Sequence, residues 1–187
     1  QKINAVPNAS IIRLNCTCTT LSVIDINGFL TLLDLNDAEG QGDPQSDRNV
    51  VRRKDTWDIC WADDNPDLFV VMEKTRMYIY RGKQPEEPLF CSGYLCQFTD
   101  LIVTCVSLDD IMDDPHNPTK SHLVQVDTKS LRDTRTLLET VPINEVFQFI
   151  SDNPHPRLWK LLAETALNNL DFIYADKAFI KAQDYQG

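Results

Sequence analysis

Between Ile11 and Val141 the apolar positions come in short, β-branched runs broken by turn residues, the rhythm of repeated antiparallel strands. The clearest pair is Leu21-Ser-Val-Ile-Asp-Ile-Asn-Gly-Phe-Leu-Thr-Leu-Leu-Asp-Leu35, where Asn27-Gly28 can adopt the positive φ angles of a type I′ turn. A second pair runs Leu68-Phe-Val-Val-Met72, turns through Glu73 to Thr75, and returns as Arg76-Met-Tyr-Ile-Tyr80. The third and weakest starts with His122-Leu-Val-Gln-Val126 and returns near Thr134 to Leu138. The intervals from Leu21 to Leu68 and from Leu68 to His122 slightly exceed the ~40 to 45 residues of a WD-type blade, which predicts four-stranded blades with loop insertions. Trp57-Asp-Ile-Cys-Trp61 fits an inner strand and Leu89-Phe-Cys-Ser-Gly-Tyr94 an outer one. The repeats are degenerate: the third strands end in Asp34-Leu35 and Tyr80-Arg81, so Trp57-Asp58 is not read as the WD signature. Asn36 to Asp47 and Asp113 to Pro118 read as exposed loops.

After Val141-Pro142 β-branched residues thin out and Leu and Ala take over, which predicts helices. A short helix spans Pro142 to Ile150, and Asn153-Pro-His-Pro156 is a turn. Pro156 suits the first position of the next helix, having no N–H to leave unpaired. From Arg157 to Leu170 the polar residues Arg157, Lys160, Glu164 and Asn168 form one narrow stripe, so most of that helix must be covered by neighbours. The following helix, Phe172 to Gln183, places Phe172, Ala175, Phe179 and Ala182 on one face. The spacing fits a tetratricopeptide-type repeat: Trp159, Leu162 and Ala163 in the first helix, then Ala175, Phe179 and Ala182 in the second, are the residues expected to pack the pair. The fold class is therefore β then α, the last antiparallel blades of a partial WD-type β-propeller followed by the start of a tetratricopeptide-like α-solenoid. The domains are expected at 1–141 and 142–187.

Charge narrows the partners. Twenty-eight acids against 18 Lys and Arg give a net charge of −10, which repels phosphate backbones and anionic lipid, so no nucleic-acid partner is expected. The one basic cluster, Arg52, Arg53 and Lys54, lies beside Asp47 and Asp55 and reads as a solvated edge. The chain has six cysteines, at 16, 18, 60, 91, 96 and 105, without a C-x-x-C, and four of them lie in apolar, strand-like runs. With no secretory signal, they read as buried free thiols of a soluble intracellular protein. Asn8-Ala-Ser and Asn15-Cys-Thr then read as chance glycosylation matches. No apolar run reaches the length of a membrane span.

Chemistry finds little purchase. Asp109, Asp110, Asp113 and Asp114 lack the alternation, central Gly and distal Glu of a calcium loop, and an equivalent register around Gly28 would put Val23 at the first ligand position. His116, His122 and His155 show no zinc spacing, and His155, between two prolines, reads as a turn residue. No local signature supports a Cys/His nucleophile, and six glycines build no phosphate-cradling loop. No catalytic, cofactor-binding or metal residue is assigned, and no small-molecule substrate is expected.

A resemblance adds to this reading. Trp57-Asp-Ile-Cys-Trp-Ala-Asp-Asp-Asn-Pro-Asp-Leu-Phe69, Met72-Glu-Lys-Thr-Arg-Met-Tyr78, Pro85-Glu-Glu-Pro88, Ser130-Leu-Arg-Asp133, Asp152-Asn-Pro-His-Pro-Arg-Leu-Trp159 and Lys181-Ala-Gln-Asp-Tyr-Gln-Gly187 carry it. Through these strings the chain closely resembles the WD-repeat, tetratricopeptide-like subunits of intraflagellar transport complex A. The resemblance covers nearly the whole chain from Ile11 and is weakest from Asn36 to Asn49. It implies two propellers followed by a long solenoid, of which this chain would be the end of the second propeller and the first solenoid helices. It further implies a non-catalytic scaffold in the cytoplasm and the cilium, at axoneme and basal body, supporting retrograde transport, cilium assembly and ciliary entry of membrane proteins. The implied partners are other complex A subunits, complex B trains and retrograde ciliary dynein, with membrane-protein cargo carried indirectly. The competing readings are a coatomer-like vesicle-coat subunit of the same architecture and a cysteine-dependent enzyme.

Overall fold

The computed structural model describes residues 8–35 and 53–184, so the loop expected at Asn36 to Asp47 lies outside the described residues. The chain forms two compact units, Gln1–Val126 and Asp127–Gly187.

The first unit holds three antiparallel sheets. One is β1 (Ala9–Leu14), β2 (Thr20–Asp25) and β3 (Leu30–Asp34), in that order. The second is β4 (Thr56–Trp61), β5 (Leu68–Glu73) and β6 (Arg76–Arg81), with the two-residue strands β7 (Gln84–Pro85) and β8 (Leu89–Phe90) both paired to β6 as a fourth layer. The third is β9 (Gly93–Thr99), β10 (Ile102–Ser107) and β11 (Leu123–Asp127), with a short helix α1 (Leu108–Asp113) in the last connection. The opening strand of the middle sheet, β4, touches β1 on one side and β9 on the other. First strands side by side, with each sheet meandering outward, are the arrangement of successive propeller blades.

The middle sheet shows why the blades must be stacked. Leu68, Phe69, Val70, Val71 and Met72 of β5 are each 1% exposed or less, although alternate side chains of a strand point to opposite faces. Both faces are therefore covered, and at ~1.5 to 3 kcal/mol per fully buried side chain this strand alone contributes on the order of 10 kcal/mol. On one face Phe69 stacks on Tyr80 at 4.8 Å and tilts against Trp61 at 4.7 Å, within a cluster that includes Ile24, Leu30 and Leu32 of the first sheet. The outer sheets are not covered in this way: Ile12 and Leu14 of β1 and Leu123 and Val124 of β11 stay exposed.

Local chemistry departs from expectation at three places. The turn after β2 is not type I′. Gly28 N–H donates to the Asp25 carbonyl at 3.0 Å, and among its turn residues only Gly28 (φ 77°) takes a positive φ. This is a type I turn closed by a glycine bulge, held because the Asp25 carboxylate accepts from the N–H groups of Asn27 and Phe29. Secondly, the strand from Leu123 pairs backward with β10, and the return strand expected near Thr134 to Leu138 lies within helix α2 (Lys129–Thr140). Helices thus begin before Pro142, and the compact units divide at Val126/Asp127. Thirdly, the run from Leu89 is split, with β8 ending an outer edge and Gly93 opening the inner strand of the next sheet.

The second unit comprises α2, α3 (Ile143–Asp152), α4 (Pro156–Asn168) and α5 (Phe172–Ala182). Pro156 occupies the first turn of α4, and His155 caps it, its Nδ1 accepting from the Arg157 N–H at 3.1 Å.

Two outcomes are expected. These 187 residues alone, with two blade faces exposed, should give no cooperative thermal transition as a monomer in calorimetry; a sharp two-state unfolding would contradict this. In a chain carrying the whole propeller, Gly28→Ala should cost about 1 to 2 kcal/mol by denaturant unfolding, since a Cβ there meets the Thr56 carbonyl oxygen at 3.2 Å on a left-handed backbone.

Candidate functional site

Seams between sheets carry the polar groups of the first unit. Between the first and second, the Trp61 indole N–H donates to Ser22 Oγ at 3.0 Å, and that hydroxyl donates to the Arg13 carbonyl at 3.0 Å. Thr56 N–H donates to the Gly28 carbonyl, and buried Asn15 donates to the Pro66 carbonyl at 3.4 Å. The same Asn15 amide donates to Thr19 Oγ1, so this sequon asparagine is consumed by the fold. Between the second and third sheets, the Asp58 carboxylate accepts from Leu95 N–H, Asp64 from Asp100 N–H, and Asp63 N–H donates to the Phe98 carbonyl. These carboxylates serve backbone donors, which is structural work.

Burial pushes the Asp58 carboxyl above the ordinary carboxylate value, against the opposing pull of the Leu95 and Ile59 N–H groups and of the Arg13 charge. The basic run resolves differently from the expected solvated edge. Arg53 pairs with Glu73 and lies over the Tyr78 ring at 4.3 Å, so it is half-buried, while Lys54 is exposed. Arg52 lies outside the described residues.

A cleft of about 150 Å³ opens beside Trp61, Pro66 and Phe69, with Asp34, Asp67 and Lys83 at its mouth. It gathers no cysteine or histidine. Among the described residues no three His, Cys, Asp or Glu side chains converge to hold a metal ion. Asp110 lies in the first turn of α1, its N–H bonded to Ser107 Oγ, and Asp114 accepts from Asn117. Among the described residues no helix is long and apolar enough to cross a membrane. The cysteines depart from the buried thiols expected: Cys105 alone is buried, Cys60 and Cys91 are half-buried, and Cys16, Cys18 and Cys96 are exposed. Strand sequence had suggested burial, but Cys96 lies on a solvent-facing position of β9 and the first two in the turn after β1.

In the helical unit, Trp159, Leu162 and Ala163 of α4 and Ala175 of α5 are buried, whereas Phe179 and Ala182 are half-buried. Ala166 and Ala178, which the repeat spacing did not single out, are fully buried where α4 and α5 pack, small residues letting two backbones approach. Phe147 of α3 meets Trp159 at 4.9 Å and Tyr174 at 5.7 Å, tying three helices together. Phe172, expected inward, is 65% exposed, since it opens α5 directly after the Asp171 cap. Leu170 at the α4–α5 turn and Ile173 and Ile180 along α5 are exposed as well. Such a surface is what a stacked helical repeat offers a neighbour.

Three meandering antiparallel sheets with their first strands side by side, followed by packed helices that leave apolar side chains exposed, define a propeller-and-solenoid protein of the WD-repeat class. The family model described as the WDR35 second beta-propeller matches residues 1–127. The chain is 49% identical over 191 residues to WD repeat-containing protein 35 of Mus musculus, covering 100% of this chain and 16% of that protein. It is 49% identical over 199 residues to WD repeat-containing protein 35 of Homo sapiens, covering 98% of this chain and 17% of that protein. The chain belongs to the family of WD repeat-containing protein 35, of whose members it spans about one sixth.

Because the folded Asp58 carboxyl titrates above its unfolded value, protonation favours the fold. That contribution is fully present below about 3.8 and is lost as pH rises through the folded value. In a chain with the complete propeller, Asp58→Asn should cost about 1 to 3 kcal/mol at pH 7, because the amide has one oxygen for the two N–H donors, of Ile59 and Leu95, that the carboxylate serves. The gap to wild type should widen as pH falls toward 4; urea titrations across that range would detect a gap that narrows instead.

Proposed function

We propose that this segment serves a non-catalytic scaffold subunit of intraflagellar transport complex A, supporting retrograde ciliary transport, cilium assembly and ciliary entry of membrane proteins. The observation that carries the reading is 49% identity along the entire chain to WD repeat-containing protein 35, across both the sheets and the helices. Its physical chemistry fits assembly. The seams are spent on backbone donors, and the apolar end of α4–α5 gains free energy only when another protein surface covers it. Other complex A subunits, complex B trains and retrograde dynein are the proposed partners, and the cytoplasm and cilium the proposed location.

Affinity capture of the tagged full-length protein from ciliated cells should recover complex A subunits, identified by mass. Recovery of coatomer-like coat subunits in their place would transfer the chain to vesicle traffic.

A further inference from the structure

Cys91 and Cys105 stand apart from the other four cysteines. Their sulfurs lie 3.4 Å apart, in hydrogen-bond contact, on segments held by different sheets. Cys91 follows directly on β8, the outer edge of the middle sheet, and its N–H donates to the Thr75 carbonyl at 3.1 Å. Cys105 lies on β10, the central strand of the third sheet, and is fully buried. One residue beyond Cys91, the Ser92 carbonyl accepts from Leu108 N–H at 2.9 Å, so the backbone around the pair is fixed on both sides. The sulfurs have about 1.4 Å left to close to reach the ~2.05 Å of a disulfide.

We propose that Cys91 and Cys105 form a reversible oxidation site, a disulfide that staples the outer edge of one propeller blade to the central strand of the next when the protein meets a peroxide. The division of labour follows from burial. Cys91 is half-buried and reachable by a small oxidant, while Cys105 is enclosed and can react only with its neighbour. The hydrogen bond from Cys105 lowers the Cys91 thiol to about 7, and the same contact with burial pushes Cys105 up. Cys60, by contrast, is pushed up to about 11 by burial.

The Cys91 thiolate attacks one oxygen of hydrogen peroxide, giving a sulfenic acid and releasing hydroxide. Cys105 then attacks the Cys91 sulfur. The S–O bond breaks, the hydroxyl leaves with the thiol proton as water, and the S–S bond forms. Both thiols together lose two electrons, and the peroxide is reduced to two waters. A dithiol reductant reverses the step.

The full-length protein, isolated with its natural partners, is treated with graded hydrogen peroxide, quenched, denatured and alkylated with a light maleimide, then reduced and alkylated with a heavy one. Cys91 and Cys105 should change label together, at less peroxide than Cys16, Cys18 or Cys96, because a second sulfur 3.4 Å away traps the first oxidation product as a disulfide. An unreduced digest should contain the Cys91–Cys105 linked peptide. Cys105→Ser should leave Cys91 as a sulfenic acid trapped by dimedone, and Cys91→Ser, at the less buried position, should leave Cys105 unoxidised. The site is overturned if both cysteines keep the light label while the exposed thiols oxidise, or if Cys91 is found linked to another thiol.

Discussion

Everything in the N-terminal unit depends on one constraint: an antiparallel sheet with two apolar faces is stable only between two other sheets. The middle sheet meets that condition, and its β5 is dry on both sides. The aromatic stack Trp61–Phe69–Tyr80 runs within the middle sheet and packs in one cluster with Ile24, Leu30 and Leu32 of the first, where Trp61 also reaches Ser22 across the seam. Large rings supply buried area and one polar handle at the same position, so the seam is both hydrophobic and directional. The first and third sheets carry the same kind of sequence with one face bare, which makes their order in the protein a matter of what else stands beside them.

Polar groups along the seams follow from the same constraint. A blade approaching its neighbour buries backbone N–H groups that no strand satisfies, and an unmet donor costs about 1 to 3 kcal/mol. Asp58 answers one of them with a carboxylate, accepting the desolvation that raises it, while Asp64 meets an exposed one at Asp100. This explains where some of the acidic excess goes without invoking a ligand. Arg53 is placed on the same logic, its guanidinium covered by Glu73 and the Tyr78 ring instead of being offered to a phosphate.

Legibility in the sequence tracked how much each element rests on local rules. The pairs β2–β3 and β5–β6 are apolar, largely β-branched or aromatic runs joined by clear turn residues and were readable, as was inner strand β4. The pair β9–β10 escaped because its turn is Asp100-Leu101, both at positive φ, and leucine at such a position is no turn signal. Missing it shifted the pairing of β11 by one strand and drew α2 into the β unit, although Lys129 to Thr140 contains only Thr134, Thr136 and Thr140 as β-formers among helix formers. In the helices, periodicity found Trp159, Leu162, Ala163 and Ala175, but it placed Phe172 inward because the cap at Asp171 starts the helix one residue too late for that side chain to turn in. Cysteine exposure was unreadable for a related reason, since strand membership does not say which face a residue takes.

The two units solve the same problem with different periods. In the sheets, residues two apart share a face, so a blade shows a neighbour a flat, wide surface that aromatic rings fill; in the helices, alanines at Ala163, Ala166, Ala175 and Ala178 bring backbones close and leave the large side chains to the ends. The consequence is a difference in what stays exposed. The bare blade faces are strand edges and flat apolar surface, which pair indiscriminately with any other strand. The exposed apolar side chains of the helical unit, Leu170, Phe172, Ile173 and Ile180, run from the α4–α5 turn along α5 and call for a partner that matches their spacing. Specific assembly is therefore better served by the helical unit, while the blades depend on being closed by their own kind.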